Sequence, residues 1–400
     1  MSAVRRAPLW LLALITFSGT LAMHMFVPAL PLAAVELDAS PGAMQLTISI
    51  YIFGLAVGQL VYGPFSDRFG RRPVLVVGLC LYTVSGLASA LAPSVDFLIV
   101  ARLFQALGGC AGLVLGRAMV RDGAAPADAA RRLALMNLMV TLGPGLAPLV
   151  GGALANLTGW RSIFYILCGL GVTNLLFAWR MLPETSGGAG QTAASVFRAY
   201  RGLFASPAFL GYSVIGGCAT TAMFAFVSAA PFIFVNQLGR PPAEVGVYIA
   251  VTVGGVWLGS LAASRLAGRV PMDRLLVGAS RICVCGAVVF LASVLAGYLS
   301  LPVVMGSMLV FTFGAGIAAP AALTEAIGVN PHAVGSASGV YGFIQMAVGA
   351  ICTTLASLGG NPALAAAAVL VGAGVVGQVA LRVALRARRG AKPSPTPPQS

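Results

Sequence analysis

The chain has 400 residues, 58% of them hydrophobic and only 8% charged, where a soluble domain carries about 25% charged residues. That balance excludes an ordinary soluble enzyme, because lipid rather than a buried core must cover so much apolar surface. The formal net charge of +14 raises nucleic-acid binding, and the placement of the charges along the chain argues against it.

Crossing the hydrocarbon takes about 20 mostly apolar residues as a helix, and every backbone group must be paired internally, so the choice is helices or a closed barrel. Strand alternation is absent and the apolar runs are long, which predicts an all-α integral membrane protein. Hydropathy places spans near residues 8–30, 43–63, 73–92, 97–119, 133–156, 161–182, 208–235, 244–266, 275–299, 302–322, 333–358 and 362–385. With twelve spans both termini share one side. On that side fall Arg5, Arg6, Arg68, Arg71, Arg72, Arg121, Arg131, Arg132, Arg198, Arg201, Arg269, Arg274, Arg386, Arg388, Arg389 and Lys392. The opposite loops carry Arg161 and Arg240. The asymmetry predicts cytoplasmic termini by the positive-inside rule, and makes the basic excess a contact for anionic inner-leaflet lipid rather than for nucleic acid.

The first span holds "LAMHMFVPALP" (21–31), with His24 at hydrocarbon depth. Arg5 and Arg6 precede this run as they would in a signal peptide, but the run is too long for one and ends in no good cleavage site. It is expected to stay as the first helix. After the second span comes "GPFSDRFGRRP" (63–73). Gly63 and Pro64 are expected to end a helix, Gly70 to permit a sharp reversal, and Pro73 to open the next helix. Asp67 is the one acid beside Arg68, Arg71 and Arg72, free to pair with a helix end or with Arg68. An anchor for topology needs no Asp and no fixed glycines, so the segment reads as a conformational latch.

Span four puts Arg102 and Gln105 one turn apart. Arg102 must face the bundle interior or water, unless it snorkels to the outer surface. Gly108, Gly109 and Gly112 form a strip for close helix packing. Span five carries "GPGLAPLVGG" (143–152); Gly143, Pro144, Pro148 and Gly151 predict a bent helix packed against a neighbour.

Residues 183–207 form the longest connection, a Gly/Ser stretch and then an apolar, basic segment resembling an interfacial helix. They divide the chain into an N-terminal six-helix bundle (1–182) and a C-terminal one (208–386), followed by a Pro/Ser-rich tail (387–400) expected to be disordered. "SRLAGR" (264–269) faintly repeats "SDRFGRR" (66–72), with Gly268 matching Gly70, and repeated halves are typical of secondary transporters. "GAGVVG" (372–377) satisfies a dinucleotide-binding pattern but lies within an apolar span with no preceding strand. No phosphate-binding Gly-Lys-Ser/Thr loop exists, so ATP drive within this chain is excluded. The seven cysteines are scattered through the spans and indicate neither a metal site nor a disulfide framework. No cofactor is expected.

With these residues in view, the chain resembles the major facilitator superfamily, and within it the Bcr/CflA group of bacterial drug–proton antiporters. The resemblance is carried by "VPALP" (27–31), "GPFSDRFGRRP" (63–73), Arg102 with Gln105, "RAMVRD" (117–122), "GP" at 143–144 and "WRSIF" (160–164). It implies twelve helices in two bundles, a central cavity, alternating access and export coupled to inward proton flow. Members commonly read "DMYLPALP" in the first span, and here the Asp position holds His24.

Ten acidic residues are present, and none falls in the middle third of a span. His24 is then the conventional titrating group at cavity depth, and its ordinary pKa near 6.5 suits cycling between a neutral and a more acidic side. The alternative is a neutral packing residue bonded to Thr20 or a backbone carbonyl, with Glu325 offering another proton route. The expectation is a non-enzymatic, monomeric inner-membrane exporter of small amphipathic compounds, exchanging them for protons through His24 and Arg102. Phe17, Thr20, His24, Gln105, Phe224, Phe226, Phe313 and Gln345 are the expected cavity residues. The rival readings are an exporter of one metabolite, such as an amino-acid derivative or sugar, and a non-transporting membrane sensor.

Overall fold

The computed structural model describes residues 7–122, 126–185, 193–329 and 334–390; Arg5, Arg6, Lys392 and most of the expected tail lie outside them. Among the described residues the chain is helical, with no strand. The first span is broken: α1 (Leu9–Met25) passes through a 3₁₀ turn (Val27–Ala29) into α2 (Leu30–Glu36). Pro28 and Pro31 each lack the N–H that a continuous helix needs, and the segment resumes instead of ending near residue 30. There follow α3 (Pro41–Phe69), α4 (Arg71–Ala90), α5 (Val95–Asp122), α6 (Pro126–Thr158) and α7 (Arg161–Met181). The connecting α8 (Ala193–Phe204) leads to α9 (Pro207–Thr220), α10 (Met223–Phe232) and a π-turn (Ile233–Gln237) that complete one span. The second half closes with α11 (Pro242–Leu266), α12 (Met272–Leu295), α13 (Leu301–Gly328), α14 (Val334–Ser357) and α15 (Pro362–Gly390). Among the described residues eleven segments are long and apolar enough to cross a membrane; α6, with its internal prolines, is the twelfth long helix.

Most helices overrun the predicted spans, and the clearest case corrects an expectation. Gly63 and Pro64 do not end α3, which runs on to Phe69 with Pro64 inside it. Proline at 64 removes the N–H that would bond the Leu60 carbonyl. Tyr200 Oη of α8 donates to that carbonyl at 3.3 Å, so the connecting helix repairs the defect. The other half does the same: Pro320 frees the Gly316 carbonyl of α13, and Ser260 Oγ of α11 donates to it at 3.3 Å. α15 continues to Gly390, past the predicted end at 386.

Small residues set how closely the helices approach. α5 lays Gly109 on Gly19 of α1 and Gly108 on Tyr82 of α4; Gly112 abuts Ile15, leaving no room for a side chain at these positions. The two halves meet along two seams, α3 with α14 and α6 with α11. On α6, Gly143 touches Phe17 and Thr20, Gly151 sits against the Met25 carbonyl, and the Pro148 carbonyl meets Gly246 of α11. The proline-glycine segment thus packs against α1 on one side and the opposite half on the other. Gly70 (φ 94°) and Gly268 (φ 78°) both adopt the left-handed region after the second span of their halves, the conformation glycine allows without steric cost.

Candidate functional site

Two regions hold the polar side chains singled out by the sequence: a charged cluster at the termini-bearing end of the N-terminal half, and a buried group between α1, α3 and α5.

In the cluster, α3 ends at Phe69 and α4 begins at Arg71, with only Gly70 between them. Asp67 pairs with Arg71 at 2.7 Å, one helical turn on, rather than with Arg68. The Arg71 guanidinium also donates to Asp122 at the end of α5 (3.1 Å), a fork geometry suited to two carboxylates. Arg68 lies over the Phe69 ring. Arg72 donates to the Trp179 carbonyl at 2.6 Å and covers its ring. Glu184, from the chain just past α7, accepts from the Arg71 and Arg72 backbone N–H groups at 2.9 and 3.2 Å. A carboxylate there satisfies orphan donors and the helix dipole at once. Tyr200 of α8 stands close by: burial first, and then the Asp67 charge, push its phenol up from its ordinary value. Glu184 was missed by sequence reading, since a lone acid in a loop carries no pattern. Gly63 meets nothing within 4 Å of where a Cβ would stand, so crowding does not account for it.

In the buried group, Arg102 is 0% exposed and does not snorkel. Its Nη1 donates to the Ala22 carbonyl (3.1 Å) and to Gln105 Oε1 (2.7 Å). Its guanidinium stacks 4.1 Å over Tyr51, with the Phe26 and Phe164 rings at 5.7 and 5.6 Å. Aromatic faces attract a cation, and here they stand where a carboxylate would be expected. Its Nε and Nη2 have no partner. Tyr51 and Tyr82 donate to the Gly19 and Ser18 carbonyls at 2.7 and 3.0 Å, fixing α1 beside it.

His24, 3% exposed, lies two residues from the carbonyl that Arg102 binds. Its Nδ1 is 2.9 Å from the Thr20 carbonyl, so Nδ1 must carry the hydrogen. Nε2 is buried with no partner, leaving a bare lone pair. The ring meets Phe224 of α10 edge-on, centroids 5.9 Å apart, which brings the two halves into contact at this residue.

The remaining expected cavity residues divide. Phe17, Thr20, Phe313 and Gln345 keep partial exposure within the bodies of their helices, and Gln345 Nε2 donates to Thr220 Oγ1 at 2.8 Å. Gln105 is fully buried, with its amide beside Gly86 of α4, and so supports Arg102 instead of facing an opening. Phe226 is sealed among Phe234 and Phe290, inside the C-terminal half.

At the opposite end, Trp160 Nε1 donates to Glu36 at 2.6 Å. Arg161 pairs with the same carboxylate and bonds the Ala92 carbonyl at 3.1 Å. Among the described residues no group of three or more His, Cys, Asp or Glu could hold a metal ion.

A sequence profile of the Major Facilitator Superfamily matches residues 12–354. The chain is 27% identical to "Multidrug transporter MdfA" of Yersinia pestis bv. Antiqua (strain Angola), over 86% of this chain and 85% of that one. It is 26% identical to "Bicyclomycin resistance protein homolog" of Haemophilus influenzae, over 83% and 84%. Its fold matches an inward-facing bacterial homolog of the human lysosomal transporter Spinster with a TM-score of 0.73 at 18% identity, covering 95% and 96% of the two chains. Twelve long helices, a charged reversal after the second, and a profile match across most of the chain agree: this multi-pass membrane protein belongs to the Major Facilitator Superfamily.

Proposed function

We propose that the chain is a secondary active exporter of small amphipathic organic compounds, driven by proton antiport through alternating access. It sits in a bacterial inner membrane with both termini in the cytoplasm, as the basic asymmetry of the loops supports. Residues 1–182 and 208–386 are the two bundles that rock against each other, and 183–207 link them. The relatives named for multidrug and bicyclomycin resistance support the substrate class.

The observation that carries the proton reading is the bare Nε2 of His24, buried where the halves touch. All ten acidic residues lie in loops or within a turn of a helix end, so no carboxylate competes for the role. Nε2 accepts a proton when the site is open to the outer, acidic side and yields it when open to the cytoplasm; Arg102, two residues' reach away, opposes its retention. The test is expression in a bacterial host lacking its own efflux pumps, scored against a broad antimicrobial panel, with dye efflux measured in everted vesicles. Resistance to several unrelated compounds, lost when the proton gradient is collapsed, is the expected result. Unchanged susceptibility across the panel, with no proton-dependent flux, would overturn it.

A further inference from the structure

A guanidinium presents its N–H donors in a fixed plane and accepts nothing in return. Arg102 stands about 10 Å along α5 from Val95, and it uses only one of its nitrogens. Nη1 donates to the Ala22 carbonyl and to Gln105 Oε1, whereas Nε and Nη2 are buried without a partner. Those two nitrogens share one edge of the group, where their N–H bonds run parallel. That edge is the fork that takes an anion side-on. Tyr51, Phe26 and Phe164 surround the guanidinium; rings attract the cation but offer the fork no lone pair.

Gln105 adds to the surplus of donors. Because Nη1 can only donate, the amide must turn Oε1 towards it, and Nε2 then faces elsewhere, also buried and unpartnered. It lies toward Gly86 of α4, where a Cβ would stand 3.2 Å from it and 3.6 Å from the Cys168 Cα. The carbonyls nearby are already engaged: Gly19 by Tyr51, Ser18 by Tyr82 and Ala22 by Arg102 itself.

Nor does a carboxylate of this chain supply the missing charge. On the helices that carry Arg102 and its rings, the acids are Asp67 at the far end of α3 and Asp96 and Asp122 at the two ends of α5. Asp67 and Asp122 are bound by Arg71, and Asp96 is exposed. Glu36, closing α2, is held by Trp160 and Arg161. Among the described residues none forms an ion pair with Arg102.

Buried charges are normally paired, and one left uncompensated is strongly destabilising. We propose that Arg102 Nε and Nη2 hold a small inorganic anion, chloride, as the fixed counter-ion of this guanidinium. Burial sets the size. Arg102 and Gln105 are both 0% exposed, so no opening admits the body of an organic carboxylate, whereas a single-atom anion needs none. The site concerns binding and stands whether or not the chain exports drugs.

The test uses the purified, detergent-solubilised full chain in sodium gluconate, an anion too large for an enclosed site. Chloride or bromide then replaces gluconate at constant ionic strength. A ligand that binds only the folded form raises the melting temperature with the logarithm of its concentration. Either halide should raise it by about 2–4 °C at a hundredfold excess over Kd. Arg102→Gln removes both the charge and the fork, and should lose that response. Crystals of the parent grown in bromide give a second readout that no variant's folding can spoil. An anomalous peak is expected within hydrogen-bond reach of Nε and Nη2. Equal melting in chloride and gluconate, a halide response unchanged in Arg102→Gln, or water alone at the fork in bromide-grown crystals would overturn the proposal.

Discussion

At the scale of single residues, His24 and Arg102 solve different problems with neighbouring atoms. A proton moving down 100 mV releases about 2.3 kcal/mol, and each pH unit adds about 1.4 kcal/mol. In the proposed antiport that energy is harvested by a group that titrates while facing each side in turn, the role proposed above for His24, whose Nε2 has no hydrogen-bond partner. His24→Ala should therefore abolish accumulation of substrate against its gradient yet leave downhill counterflow within about twofold. His24→Asp should restore coupling, with its pH profile moved lower because an ordinary aspartate titrates near 3.9. Vesicle efflux under an imposed pH gradient, compared with counterflow without one, separates these outcomes; an Ala variant that still concentrates substrate would make His24 a packing residue. Arg102 is bound into the wall by Gln105, the Ala22 carbonyl and three aromatic rings. Removing it strands two acceptors, at about 1–3 kcal/mol for each unsatisfied group. Arg102→Ala should insert but lower the melting temperature and lose transport. Arg102→Lys keeps the charge without the planar fork and should also fail in transport. Full activity in Arg102→Lys would show that charge alone suffices there.

Among elements, the α3–α4 reversal shows what the sequence displays and what it hides. Gly70 and the run of arginines are legible because a left-handed glycine and a charged loop leave local marks. The end of α3 was misread at Pro64, because whether a proline stops a helix depends on who repairs the Leu60 carbonyl, and Tyr200 lies 140 residues away. The Glu184 cap and the Glu36–Trp160–Arg161 tie are distant for the same reason. Hydropathy found the spans because lipid imposes a length, but it could not tell Phe226, packed inward, from Phe224, packed on His24. The reversal also makes a prediction. Gly70→Ala places a side chain at φ 94°, costing about 1–2 kcal/mol, and drives its Cβ to 2.7 Å from a Glu184 oxygen. Asp67→Asn leaves the fold intact but removes the ion pair to Arg71. If the latch is worth about 1–3 kcal/mol between conformations, transport in Asp67→Asn should slow about tenfold with expression unchanged. Gly70→Ala should slow transport and destabilise the protein as well. Initial efflux rates and thermal melts of the two variants distinguish a latch from an anchor, and normal rates in Asp67→Asn would leave the loop a topology signal.

Over the whole molecule, the proposed alternating access requires two halves joined by seams to slide. Glycine and proline line both seams: Gly246 on the Pro148 carbonyl, Gly42 on the Ser357 carbonyl, and Gly342 beside the Gln59 side chain. Close backbone approach of this kind gives helices a packed yet side-chain-poor surface, on which rigid-body rocking exchanges few interlocked groups. A covalent tie across a seam should therefore stop transport without disturbing either half. Gln59 and Gly342 are the best pair for it, since they touch across α3 and α14. Among the native thiols, Cys80 and Cys285 are exposed and would be replaced by serine first, to keep the chemistry specific. In that background, Gln59→Cys with Gly342→Cys, joined by a short bifunctional maleimide, should retain less than a tenth of the uncrosslinked efflux rate. The single-cysteine variants treated with the same reagent control for simple obstruction and should transport normally. If the tied protein still exports at the parent rate, the halves do not move against each other at this seam, and alternating access must open elsewhere.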